Sequence, residues 1–419
     1  MRPRTWAVAV FATALLARLG FLLLVDQPLL YSHQYTYFNS ALRIAEHPHP
    51  LAYVLRSDDW RTWDDHWTIA PLYYLFCAAV FRLFGPHLLP LQLLQCGFDA
   101  LVAVCVAALG RQLAGPRGAW AGIAYALHWP AFEMPSWTMT ENVHTLLFVA
   151  GVLVLGRDAD APPRSRFVGG VLVGVSALAR SVSSAFLGAI ALWRLWRDGL
   201  KRGLVPAALI LAGGAAAILP WLARNVALGQ PPTIETAAYE NIWWANHFGD
   251  QERYRRQKQV VYSQKTPEAT RAAALHFALK AIRERPDLFA GKVWDNFWHF
   301  LRPDWLDSLL RVERPAPAWQ YATGIVTEDL VLGVLVPLFA VFLVAGRASP
   351  ARDLIVLWTA YYLFMVVVVF HNELRYRSAL GPIRIDWGYK LNRRAGHQHE
   401  VRHECPITNG GTAASVRKA

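Results

Sequence analysis

Apolar runs long enough to cross a lipid bilayer recur along almost the whole chain: Trp6–Val25, then about 67–84, 88–109, 118–133, 141–156, 167–196, 203–222, 325–346 and 352–370. A helix needs about 20 such residues to cross the ~30 Å hydrocarbon core. A soluble fold of 419 residues has too little interior to hide them, because 54% of the residues are hydrophobic and only 17% are charged, against about 25% charged in an ordinary soluble domain. The expected fold is therefore an all-α polytopic membrane protein with about 9–11 transmembrane helices and a helical extracytoplasmic segment. Along the chain, 1–225 reads as an N-terminal membrane module with a polar, aromatic-rich first loop at 26–66. Residues 226–320 read as an extracytoplasmic or interfacial helical segment, 321–383 as C-terminal membrane helices and 384–419 as a polar basic tail.

Charge orders these runs in space. The net charge is +12, from 42 basic and 30 acidic residues, an excess that holds cytoplasmic loops against anionic lipid and also suits phosphate binding. No basic helix or aromatic-interleaved basic patch appears in a soluble segment, so nucleic acid is not an expected partner. Arg180 sits in the middle of 167–196, where a charge costs on the order of 3 kcal/mol at the bilayer centre. That cost disappears if two helices rise from one basic surface and meet near the opposite one. Arg157, Arg164 and Arg166 precede the run, and Arg194, Arg197, Lys201 and Arg202 follow it. The positive-inside rule thus places both ends in the cytoplasm and Arg180 near the outer face, where Glu141, Arg224 and the 226–320 segment also fall. Simple alternation from a cytoplasmic N-terminus conflicts with this for 67–109, so one segment there is not a plain span. The four cysteines, Cys77, Cys96 and Cys105 in apolar runs and Cys405 in the tail, read as free thiols.

In the outer segment, Thr266-Pro267-Glu268 has the chemistry of a helix start, and the helix runs to Arg285 before Pro286. Phe289, Val293, Trp294, Phe297, Trp298 and Leu301 then recur at helical spacing, a face suited to the headgroup region. Asp99 reads as the structural partner of an arginine or tyrosine, and His128 and His144 as satisfied core histidines. His397, His399, His403 and Cys405 have metal-like spacing but stand among Arg and Gly, and read as a chance cluster.

Several short motifs share an order. Tyr37 and Ala41 form a Tyr-x3-Ala pair after the first run; Ala70-Pro71-Leu72-Tyr73 opens the second and leads to Arg82-Leu-Phe-Gly85. Thr140-Glu141, Gly174 through Arg180, Pro220-Trp221-x2-Arg224-Asn225 and Arg375-Tyr376-Arg377 with Pro382 follow. In this order and spacing, over about 6–382, the chain resembles the membrane-embedded glycosyltransferases of the GT-C class, the bacterial branch that includes aminoarabinose and protein mannosyl transferases. The resemblance implies inverting transfer of a sugar from a polyprenyl-phosphate carrier to a lipid, protein or glycan acceptor, on the extracytoplasmic face of a bacterial inner membrane. It implies no cofactor, with a divalent metal left open. Arg180, Arg224, Glu141, Arg375, Tyr376 and Arg377 would bind substrate, the arginines by charge-assisted bonds to phosphate.

One departure stands out. Where the family places an acid ahead of the Tyr-x3-Ala pair, this chain has His33 and Gln34. Either His33 substitutes, or the carboxylate comes from Asp58, Asp59, Asp64 or Asp65, with Asp58 and Asp59 ahead, or the chain lacks that activity. The rival function is a catalytically silent homologue, or a lipid-phosphate transporter, that binds the carrier without transfer. A transporter is expected to show paired halves, and no internal repeat is evident.

Overall fold

The structure is a computed structural model. It describes residues 3–24, 33–63, 67–128, 134–157, 162–248, 250–301 and 348–369, with isolated positions between them, all within one unit, Met1–Gly388. The expected spans near 325–346, the Arg375-Tyr376-Arg377 motif and the tail with His397, His399, His403 and Cys405 lie outside the described residues.

Apart from one hairpin of two-residue strands, the described elements are helices, the architecture of an all-α polytopic membrane protein. In chain order they are α1 (Pro3–Leu24), α2 (His33–Glu46), α3 (Pro50–Arg56), the hairpin β1 (Thr62–Trp63) and β2 (Trp67–Thr68), α4 (Leu72–Phe84) and α5 (Leu88–Ala114). There follow α6 (Trp120–Ala126), α7 (Glu141–Leu155), α8 (Pro163–Ala179), α9 (Val182–Ala227), α10 (Ala237–Ala245), α11 (Gln251–Tyr262), α12 (Pro267–Glu284), α13 (Pro286–Leu301) and α14 (Pro350–Phe364), with a π-helical turn at Met365–Val369. Among the described residues, four helical stretches are long and apolar enough to cross a membrane: Thr5–Leu23, Leu88–Ala126, Val182–Ala227 and Pro350–Val369.

Two of these stretches fold back on themselves. α9 turns at Gly199, whose φ of 73° is open to glycine and strained for other residues. Its second limb then returns along the first, so that a Cβ at Gly214 would meet the Leu187 side chain at 2.4 Å. α8 lies in the same seam: a Cβ at Gly170 would stand 2.2 Å from the Ile210 carbonyl oxygen, and one at Gly213 2.1 Å from that of Phe167. The sequence expectation of a turn at Arg180, basic far ends and a returning 203–222 segment thus matches the fold. Arg194 at the far end is buried, bonding Asp198 at 3.3 Å and the Leu155 carbonyl at 3.2 Å, while Arg197 pairs with Asp353 at 3.1 Å.

The second fold-back departs from expectation. Within the run at 118–133 the described helix is the seven-residue α6, which gives way to a turn at Leu127. Backbone that departs from the α-helix survives beside spans only when its polar groups are satisfied by protein, and at Pro135–Trp137, beyond that run, side chains of α5 do this. Gln92 donates to the Ser136 carbonyl at 2.8 Å, and Gln95 to the Pro135 and Trp137 carbonyls at 2.8 and 2.9 Å. The segment in 67–109 that is not a plain span is α4: its 13 residues extend only about 20 Å.

The pairing expected for Asp99 is present twice over. Arg18, fully buried on α1, donates to Asp99 on α5 at 2.6 Å, and the Tyr125 hydroxyl on α6 donates to its other oxygen at 2.6 Å. His144 meets the Ser183 hydroxyl at 2.9 Å, and His128 is buried. α12 starts as expected, with Thr266 Oγ1 accepting from the Ala269 amide at 3.2 Å. On α13, Trp294 and Trp298 are 61% and 51% exposed, an outward aromatic face. Its other side is tied to the π-helical turn by Lys292, which donates to the Val368 carbonyl at 2.9 Å, and by Asn296, which donates to that of Val367 at 3.1 Å.

Candidate functional site

Three helices begin at one place. α7 starts at Glu141, α9 at Val182 and α10 at Ala237, and α8 ends there at Ala179. Between them lies a cavity of about 140 Å³ whose wall includes Tyr37, Thr140, Glu141, Arg180, Ser181, Glu235 and Glu240, with Tyr362 and Val366 from the C-terminal helix and its π-helical turn. Each helix start exposes unpaired N–H groups carrying roughly half a positive charge, which favours an anion or a carboxylate close by.

Arg180 enters the cavity because α8 stops at it. Its backbone is extended (φ −146°, ψ 114°) while its amide still bonds the Ser176 carbonyl at 3.0 Å. The side chain crosses to α7 and donates to Glu141 Oε1; it is 15% exposed and Glu141 4%. Glu141 Oε2 also accepts from the Thr140 hydroxyl at 3.2 Å. Tyr37, from the face of α2 that buries Tyr37, Ala41, Ile44 and Ala45, packs edge-on against Tyr73 at 5.2 Å. Gln34 sits on the same helix and accepts from the Thr138 amide at 3.3 Å, just ahead of the Met139–Glu141 wall.

Opposite Arg180 stands Glu235, which sequence reasoning did not single out. It accepts from the Ser181 hydroxyl and, at 3.1 Å, from the Ala70 amide. Burial pushes its carboxyl above the ordinary range, outweighing those two bonds and the nearby charges of Arg180 and Arg61. The loop that carries it is fixed to β2, where the Thr236 and Thr68 backbones and the Thr236 hydroxyl bond at 2.8 to 2.9 Å. Glu240 accepts from the Tyr262 hydroxyl at 2.9 Å.

Beside the cavity is a second cluster, centred on Asp58. Its carboxylate accepts from Arg61 at 2.8 and 3.2 Å and from Arg224. Arg224 also donates to the Val54 and Ser57 carbonyls and, at 2.9 Å, to Asn225; Arg61 reaches the Ile69 and Ile234 carbonyls at 3.3 and 3.0 Å. Both guanidiniums lie over the Trp221 ring, at 4.7 and 5.1 Å. Burial alone would raise the Asp58 carboxyl, but Arg61 and Arg224 outweigh it and hold it below the usual range. This cluster ties the first loop to the end of α9.

The expected residues therefore divide. Glu141 and Arg180 meet on the cavity wall, Asp58 and Arg224 meet in the neighbouring cluster, and Asp59 is exposed one residue along. His33 opens α2. Asp64, Asp65, Arg375, Tyr376 and Arg377 lie outside the described residues. Sequence reasoning also passed over Arg61, although its i,i+3 spacing from Asp58 was available as a signal. For Glu235 no local signal existed, since its two partners lie 54 and 165 residues away. Among the described residues no three His, Cys, Asp or Glu are grouped to hold a metal ion.

No protein-family model matches the chain, and no curated protein matches it. Among solved structures, similar ones include the apo oligosaccharyltransferase of Archaeoglobus fulgidus, at 13% identity and a TM-score of 0.49 over 90% of this chain and 49% of that one. The same organism's oligosaccharyltransferase AglB, with an inhibitory peptide and a dolichol-phosphate, matches at 13% identity and 0.48, over 91% and 49% of the two chains. ArnT from Cupriavidus metallidurans, bound to undecaprenyl phosphate, matches at 14% identity and 0.43, over 90% and 78%. The chain spans about half the length of the archaeal enzymes.

Proposed function

We propose that the chain is a membrane glycosyltransferase that moves a sugar from a polyprenyl-phosphate carrier to an acceptor at the extracytoplasmic face of a bacterial cell membrane. One observation carries this reading: Tyr37, Glu141 and Arg180, from three separate motifs that resemble those of GT-C enzymes, line a single cavity. Arg180 is the cavity's guanidinium among the described residues, and three helix starts add partial positive charge around it. In this reading Arg180 takes the carrier phosphate and stabilises the charge that grows on it as the sugar leaves. The resemblance assigns Arg375, Tyr376 and Arg377 to the substrate as well.

Asp58, already neutralised by two guanidiniums, anchors the first loop rather than acting as base. The loop's acceptor side is left to Asp59, Asp64, Asp65 and His33, together with the cavity carboxylates. The transfer is inverting and needs no cofactor.

The test is sugar release from radiolabelled undecaprenyl-phosphate hexoses by purified protein, wild type beside Arg180→Ala. Turnover lost with Arg180 supports the reading. Carrier binding without turnover by the wild type overturns it in favour of a silent homologue.

A further inference from the structure

Of the three carboxylates on the cavity wall, two are already committed. Glu141 is ion-paired with Arg180 and bonded to Thr140; Glu240 is bonded to Tyr262. Asp58 stands outside the wall, between two guanidiniums. Glu235 differs from Glu141 and Asp58 in that its hydrogen bonds come from neutral donors, the Ser181 hydroxyl and the Ala70 amide, and from Glu240 in being held at the start of α9 near the Arg180 charge. Those two bonds fix the carboxylate against the start of α9 without cancelling its charge. A general base works best when it is held in place and its basicity lies nearer neutrality than that of a free carboxylate. Burial moves Glu235 in that direction.

We propose that Glu235 is the catalytic base of this site and that its acceptor is a neutral hydroxyl compound. The proposal rests on the sugar-transfer reading above. The acceptor oxygen forms its bond to the anomeric carbon with a lone pair. The bond from that carbon to the carrier phosphate oxygen breaks, and its electron pair stays on the phosphate beside Arg180. The acceptor's hydroxyl proton passes to the Glu235 carboxylate and from there to water. An acceptor carrying its own negative charge would face three carboxylates against one guanidinium on the wall, which selects for an uncharged alcohol such as a sugar hydroxyl.

The experiment uses the full chain in lipid nanodiscs, a radiolabelled undecaprenyl-phosphate hexose as donor and methyl glucoside as hydroxyl acceptor. Glu235→Gln is expected to lower kcat at least about 100-fold while the donor KM stays within about threefold. Wild-type kcat is expected to fall on the acid side as the carboxylate takes up a proton, and the residual rate of the Gln variant is expected to lack that limb. If the Gln variant is not monodisperse, Ser181→Ala serves instead: losing a donor to the carboxylate should move the acid limb to higher pH. A Gln variant within threefold of wild type, or a limb unmoved by Ser181→Ala, overturns the assignment of Glu235 and leaves sugar transfer standing. Wild-type protein that turns over no donor overturns both.

Discussion

Among the described residues, the Arg18–Asp99 and Arg180–Glu141 pairs each join separate helices of the bundle, and they are built for opposite purposes. In the Arg18–Asp99 pair both carboxylate oxygens are taken, one by Arg18 and one by Tyr125, and the guanidinium also bonds the Ala14 and Ala126 carbonyls at 3.2 and 2.7 Å. Arg18 is fully buried and forms no part of the cavity wall. In the Arg180–Glu141 pair the guanidinium keeps part of its surface on a cavity and stands at a break between helices rather than inside one. Charge within a membrane fold therefore does not by itself mark a site. The distinction lies in whether the pair faces a cavity.

The largest effect that tests this contrast is on turnover. Arg180→Ala should reduce sugar transfer by about 10²–10³-fold, the range for losing one preorganised donor to developing charge, with a small change in thermal midpoint. An equal loss of stability and turnover would erase the distinction. Asp99→Ala should do the reverse: a destabilisation of about 3–5 kcal/mol from a stranded buried charge, read as denaturant midpoint in detergent, with rate per folded molecule unchanged. Exchanging partners sharpens the comparison. Arg18→Asp with Asp99→Arg should recover part of the stability lost by either single change, whereas Arg180→Glu with Glu141→Arg should recover no transfer, because the cavity needs its positive charge at the helix break.

Two smaller effects are expected from pH. Asp58 titrates lower in the fold than its ordinary value of 3.8. Its contribution is therefore complete above that value and is lost as pH falls through the lowered one, which should appear as an acid-side drop in thermal midpoint absent from Asp58→Asn. Lys292 runs the other way. Burial lowers it from 10.5 to about 8, so between those values the unfolded chain holds more protons and stability should rise with pH. Lys292→Met should flatten that rise.

Much of the architecture was legible because charge in an apolar run is expensive. Arg180 could be read as a turn and Asp99 as a partnered residue from that cost alone. The helices of the first loop were less visible, since a segment rich in polar and aromatic residues reads as loop. Even so, the buried positions Tyr37, Ala41, Ile44 and Ala45 of α2 carry the helical period. Residues 118–133 misled for a different reason: their apolar content is that of a span, while the helix described there, α6, ends at Ala126. Glu235 was invisible, because its burial and both its partners are made by the fold. Half of the site could thus be named from sequence, the half that sits at breaks in apolar runs.

The glycines that let α8 and the returning limb of α9 nearly touch set the place at which α8 ends. A single methyl group added at Gly170 or Gly213 would meet a backbone oxygen at little over 2 Å and must push the two rods apart. The hinge bearing Arg180 would swing with them, so an inert substitution deep in the bundle, chemically remote from any ligand, would mistune the guanidinium at the top.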